Sequence, residues 1–244
     1  MPRHDGRDPA SIRPLEIVRG FTQAAAGSVL YRCGRTCVLV TAAVEDRVPP
    51  WLAGRGKGWV TAEYSMLPGS TRQRKSRSSS TGRVDGRTHE IQRLVGRSLR
   101  AVVDMSVLGE RTIWLDCDVL EADGGTRTAA INAAYMALCD ALRGHDFGKR
   151  PLNRWPVEEP VGAISVGIVK GEALVDLDYK EDHRADVDMN VVMTASGRFL
   201  EVQGTGENRP FTGEELETLI GLARGGIDQV LTRVREVLAA KVGG

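Results

Sequence analysis

No uninterrupted apolar run in this chain reaches the about eighteen residues that a membrane span requires. Nothing at its start reads as a signal peptide, so a cytoplasmic protein with no membrane partner is expected. An excess of one charge is also missing, since 33 Lys+Arg face 32 Asp+Glu and leave a net charge of +1. Affinity for nucleic acid would therefore have to come from where the charges cluster, not from their sum. The four cysteines, Cys33, Cys37, Cys117 and Cys139, contain no C-x-x-C pair, and three fall in apolar segments. That pattern favours buried thiols in a reducing compartment over disulfides or zinc. No G-x-x-x-x-G-K-[ST] occurs, because Gly54-Arg55-Gly56-Lys57-Gly58 breaks the pattern, and G-x-S-x-G and H-E-x-x-H are absent too. P-loop hydrolysis is thereby disfavoured.

What is present is a chain of 244 residues, 41% hydrophobic and 27% charged, enough for one compact domain or two similar halves sharing a core. Leu15–Val18, Ser28–Cys33, Thr36–Glu45 and Trp59–Tyr64 read as strands, with Gly34-Arg35 turning a hairpin. Residues 69–86 hold little to bury and read as an exposed basic loop. Ile91, Leu94, Val95, Leu99, Val102 and Val103 then recur at helical spacing, and Arg111–Leu120 alternates as a strand. The second half adds hairpins Gly162–Val169 with Ala173–Tyr179 and Met189–Thr194 with Phe199–Gln203. Thr212 and Glu215 form a capping box for a helix running to Leu238, with Phe211 placed to staple onto Leu216. Strands come first and helices after in each half, which predicts an α+β fold of two related β-rich units and argues against a doubly wound sheet.

The strand ending at Leu120 runs into EADGGTRTAAINAAYMALCDAL, residues 121–142. A helix start carries unpaired N–H groups and a partial positive charge, so Gly125 and Thr126 there can bring amides to a phosphate while Arg127 adds a guanidinium fork. The other reading is an ordinary glycine turn with Thr126 as cap and Arg127 in solvent. Arg87 opens the preceding helix and could grip the same anion. Arg72, Arg74, Lys75, Arg77 and Arg83 crowd a stretch with no acid before Asp85, which suits contacts to a phosphate backbone that ignore sequence. The segment LVDLDYKEDHRADVDMNVV, residues 174–192, supplies six acids, Asp176, Asp178, Glu181, Asp182, Asp186 and Asp188. One or two carboxylates with substrate phosphates suffice for Mg2+ or Mn2+, and four of the six are expected to be solvated. His183 has no zinc-ligand spacing and reads as a surface residue.

Five blocks in order, WVTAEYSMLP (59–68), GRTHEIQRL (86–94), LDCDVL with ADGGTRT (115–128), DMNVVM (188–193) and EVQGT (201–205), resemble the bacterial ribonuclease PH family over nearly the whole chain. The resemblance implies a single domain over residues 1–244 with the ribonuclease PH fold, which is ribosomal protein S5 domain 2-like. It implies a phosphate-dependent 3′→5′ exoribonuclease acting on the 3′ ends of tRNA precursors and other single-stranded RNA tails, reversibly releasing nucleoside diphosphates. A homo-hexamer, built as a trimer of dimers, is implied as well. By the same resemblance, inorganic phosphate as co-substrate binds Arg87, Gly125, Thr126 and Arg127, a divalent metal (Mg2+ or Mn2+) and the chemistry fall to Asp182 and Asp188, and RNA meets Arg72, Arg74 and Arg77. A non-catalytic RNA-binding ring subunit and a hydrolytic metal-dependent nuclease are the alternatives.

Overall fold

The structure is a computed structural model that describes residues 3–76, 85–148 and 150–240. Its first sheet has the order β1-β2-β3-β5-β4, from β1 (Leu15–Arg19), β2 (Gly27–Cys33), β3 (Thr36–Glu45), β4 (Trp59–Met66) and β5 (Thr112–Glu121). Period-2 alternation decides its faces: Val29 and Tyr31, Val38 and Val40, Val60 and Ala62, and Ile113, Leu115 and Cys117 are all buried. Neighbours are antiparallel except β4 with β5, which run parallel because α1 (Gly86–Arg100) and α2 (Met105–Leu108) supply the crossover between them.

Helix α3 (Thr126–Gly144) is buried at every position from Thr128 to Leu142. Its many alanines let it lie close against β2, β3 and, from the second sheet, β6. That sheet has the order β7-β6-β8-β9, from β6 (Val161–Val169), β7 (Glu172–Val175), β8 (Val187–Thr194) and β9 (Phe199–Gly206), all antiparallel. Asn132 of α3 reaches into it: its side-chain amide donates to Ala163 O at 3.0 Å and its Oδ1 accepts from Ala163 N at 2.8 Å. The short α4 (Tyr179–Asp182) and the long α5 (Gly213–Ala239) complete the fold. The Thr212–Glu215 capping box is present, Phe211 and Leu216 both pack on the core, and α5 buries Leu219, Ala223, Ile227, Val230, Leu231 and Val234 against the second sheet. One contiguous apolar cluster fills the space between the two sheets and their helices, and all four cysteines are free and buried in it or at its edge.

Two expectations fail in the second half. The strand expected over Ala173–Tyr179 ends at Val175, because Asp176 turns the chain into the left-handed region (φ 53°) and Asp178 then caps α4. The acids expected in solvent are largely inside: Asp176, Asp178 and Glu181 are buried, each against an arginine or histidine contributed by the N-terminal segment.

Candidate active site

Where β5 gives way to α3, Gly124 (φ 79°) and Gly125 (φ 66°) both take left-handed conformations that favour glycine. Closeness is a second reason at Gly124, where a Cβ would lie 2.5 Å from Leu177 O and 2.9 Å from the Cα of Asp178. Gly125 is the N-cap, so no side chain caps the helix. Among the described residues no acceptor reaches the Gly124 or Gly125 N–H, and Thr126 N–H, first in the helix, has no intrahelical partner. Thr126 does not act as the cap; its Oγ1 instead accepts from the Tyr64 hydroxyl of β4 at 2.8 Å. The turn is therefore a set of bare amides at the positive end of a 19-residue helix.

Arg127 follows in the first turn of α3, with its side chain only 16% exposed. It is not solvated. Its guanidinium donates to Gln203 Oε1 on β9 at 2.8 Å and lies 3.8 Å from Glu90 Oε1 on α1, while the Gln203 amide donates to the same Glu90 oxygen at 2.7 Å. Asp85 caps α1 by accepting from Thr88 N at 2.6 Å, which sets Arg87 exposed in the first turn. The charges of Arg87 and Arg127 both bear on Tyr64, Asp182 and Asp188. Two helix starts are thus brought to one place.

Asp182 closes α4 and Asp188 opens β8, opposite Thr205 of β9. No hydrogen bond or ion pair among the described residues engages either carboxylate. Burial pushes the Asp182 carboxyl up, with Arg87 and Arg127 pulling the other way. Burial likewise pushes the Asp188 carboxyl up to about 6, and the neighbouring Asp182 charge adds to the effect. Exposed Glu207 contributes to both. Among the described residues no group of three or more His, Cys, Asp and Glu side chains could hold a metal. Two carboxylates without partners nevertheless match what Mg2+ takes when phosphate oxygens and water fill the rest of its shell. His183 is exposed, its ring stacked on Tyr179 with centroids 5.9 Å apart.

Arg72, Arg74 and Lys75 are exposed, as a phosphate-contact surface requires; Arg77 and Arg83 lie outside the described residues. Sequence reasoning missed Glu207, and it quoted Tyr64, Glu90 and Gln203 within larger blocks without giving them a part. Gln203 and Tyr64 could have been found as polar side chains in otherwise well-patterned strands. Glu90 carried no signal, since a lone Glu among the polar residues of an amphipathic helix ordinarily faces solvent.

The 3′ exoribonuclease family matches in both of its parts, domain 1 over residues 11–143 and domain 2 over residues 159–226. The chain belongs to that family. It is 54% identical over 237 residues to the Ribonuclease PH of Bacillus subtilis (strain 168), covering 97% of this chain and 96% of that protein. Among solved structures it superposes on rice Rrp46 with a TM-score of 0.78 at 19% identity, over 97% of this chain and 100% of that one. An Archaeoglobus fulgidus exosome with RNA bound to the active site gives 0.78 at 21%, over 95% of this chain and 92% of that one. An archaeal exosome core gives 0.76 at 22%, over 96% and 91%. At such identities these three speak for the fold alone, the ribonuclease PH architecture in its α+β form.

Proposed function

We propose that this protein is a phosphorolytic 3′→5′ exoribonuclease that trims the 3′ ends of tRNA precursors and other single-stranded RNA tails. The observation that carries this reading is one cluster in which bare helix-start amides and two guanidiniums face two carboxylates that have no cation of their own. Its support includes 54% identity, over nearly the full length, to a protein named Ribonuclease PH.

Both reactants are anions, so the site must cancel their repulsion and align attack with departure. Gly125, Thr126, Arg127 and Arg87 hold inorganic phosphate, the backbone by N–H donors fixed in advance and the arginines by charge. A phosphate oxygen forms a bond to the phosphorus of the last diester, the bond to the 3′ oxygen breaks, and a nucleoside diphosphate leaves. A proton has to reach that 3′ oxygen, and one of the two carboxyls beside it, Asp182 or Asp188, both raised by burial, supplies it. Asp182 and Asp188 would hold a divalent cation, which when bound would offset charge on the diester and the leaving oxygen. Exposed Arg72 and Arg74, with Arg77, contact the RNA backbone without reading its bases.

The chain works as a single unit in the cytoplasm, and six copies assemble as a trimer of dimers. No helix among the described residues is long and apolar enough to cross a membrane. Product analysis with and without phosphate tests the function. Nucleoside diphosphates formed only with phosphate are expected; monophosphates would point to a hydrolytic nuclease, and no products to a non-catalytic RNA-binding subunit.

A further inference from the structure

We infer that Arg13, together with Thr36, positions the phosphate half of this site and ties it to the root of the helix that carries Asp182; the inference rests on the phosphorolytic reading above. Arg13 is buried, and its guanidinium grips Asp176 in a fork, Nε to Oδ2 at 2.9 Å and Nη2 to Oδ1 at 2.6 Å, while its own N–H donates to Oδ2 at 2.7 Å. The remaining donors turn to the glycine turn. Nη1 donates to Asp123 O at 2.6 Å, and Nη2 makes a longer contact to Gly124 O at 3.4 Å. From β3, buried Thr36 donates its hydroxyl to Gly124 O at 2.6 Å and accepts from Asp123 N at 3.0 Å.

A trans peptide points its C=O and the N–H of the same unit in opposite directions. Holding the Asp123 and Gly124 carbonyls inward therefore aims the Gly124 and Gly125 amides outward, where they have no acceptor among the described residues. Donors fixed before the anion arrives need no reorganisation to receive it. The other end of the clamp is equally specific. Asp176 holds its left-handed backbone (φ 53°) while its carbonyl accepts from Arg3 at 3.0 Å, and two residues on Asp178 caps α4. Leu177 and Asp178 are the residues against which Gly124 packs. One guanidinium thus sets the distance between the amide cradle and the acid-bearing helix, although Arg13 and Asp176 are 163 positions apart in sequence.

Steady-state phosphorolysis of a short RNA at varied phosphate, on the full-length protein, tests the clamp. Arg13→Lys keeps the charge and loses the fork; Thr36→Val keeps the shape and loses the hydroxyl. Each should raise KM for phosphate about tenfold, the factor for roughly one fixed hydrogen bond. Each should leave the affinity for RNA in phosphate-free buffer nearly unchanged, and Thr36→Ser should bring KM for phosphate back toward the starting value. An unaltered KM for phosphate in folded Arg13→Lys and Thr36→Val overturns the inference. So does a parallel loss of phosphate and RNA affinity with falling Tm and no rescue by serine, the pattern of a purely structural staple. Should Arg13→Lys not fold, the Thr36 pair decides alone. Phosphate-independent digestion by the unaltered protein would instead overturn the functional reading beneath it.

Discussion

Asp176, Asp178 and Glu181 lie within a dozen residues of Asp182 and Asp188, yet the two sets are treated in opposite ways. Each of the first three is buried against a side chain of the N-terminal segment: Asp176 against Arg13, Asp178 against the His4 ring at 2.5 Å, and Glu181 against Arg3, whose guanidinium grips both of its oxygens at 2.8 and 2.6 Å. Burial alone would raise the Asp176 carboxyl, but the Arg13 guanidinium and amide hold it below the usual carboxylate range. Asp182 and Asp188 feel Arg87 and Arg127 only at a distance, and their carboxyls are raised. Charges that satisfy one another fix the backbone; charges left without contact partners are available to a ligand.

That contrast can be broken most severely on the open side. Arg127→Ala should lower phosphorolysis by at least about 10²–10³-fold, the usual loss for one transition-state donor. RNA binding measured by fluorescence anisotropy should stay largely intact, and equal loss of both would contradict separate sites. Asp188→Ala should abolish turnover to a similar degree, with an unchanged elution volume in sizing chromatography; full activity would remove Asp188 from the site. On the paired side the effect moves from rate to stability. Arg3→Met strips the buried Glu181 of its two-pronged partner and leaves only the longer Arg7 contact at 3.6 Å, so it should cost about 3 kcal/mol, the low end for a broken buried pair, read as a lower denaturation midpoint in urea.

The sharpest version uses pH. Because the folded Asp188 carboxyl is raised to about 6 from its ordinary 3.8, the folded state holds its proton more tightly than the unfolded chain does. The resulting stabilisation is full below about 4 and is lost as pH rises through about 6. Asp188→Asn, in chelator, should therefore raise Tm by a few degrees at pH 8, a gain that shrinks toward pH 4. Scanning calorimetry across that range checks it, and a neutral substitution that destabilises at pH 8 would argue against a strained charge. The smallest effect belongs to the exposed arginines. Arg72→Ala with Arg74→Ala should weaken RNA binding alike for all sequences and lower the slope against log salt by about 1.4, roughly 0.7 for each contact with a single strand.

Much of the first half was legible because β2, β3 and β5 each bury one face, so alternation and burial coincide. The capping box of α5 was legible for a similar reason, its signal being local. The helix starts at Arg87 and Arg127 could be read as anion sites in principle, but only three-dimensional packing shows that they meet. LVDLDY misled because Val175, Leu177 and Tyr179, alternating with Asp176 and Asp178, resemble a strand with one wet face. There the buried Arg13–Asp176 fork wins over period-2 alternation and turns the chain. No spacing rule pairs an arginine before β1 with an acid after β7, and the same gap hid Glu90 beside Gln203.

Asn132 carries a wider consequence. Its amide exchanges two bonds with the Ala163 peptide, much as a neighbouring strand would, so a helix rooted on the first sheet stands in as a pairing partner for the second. A chain severed between α3 and β6 would leave the Asn132 carboxamide on one fragment and the Ala163 peptide on the other without their mutual bonds, each within a large bared apolar surface. Nicking or circular permutation there should yield pieces that recover only when expressed together, which gives this architecture a reason to be inherited whole.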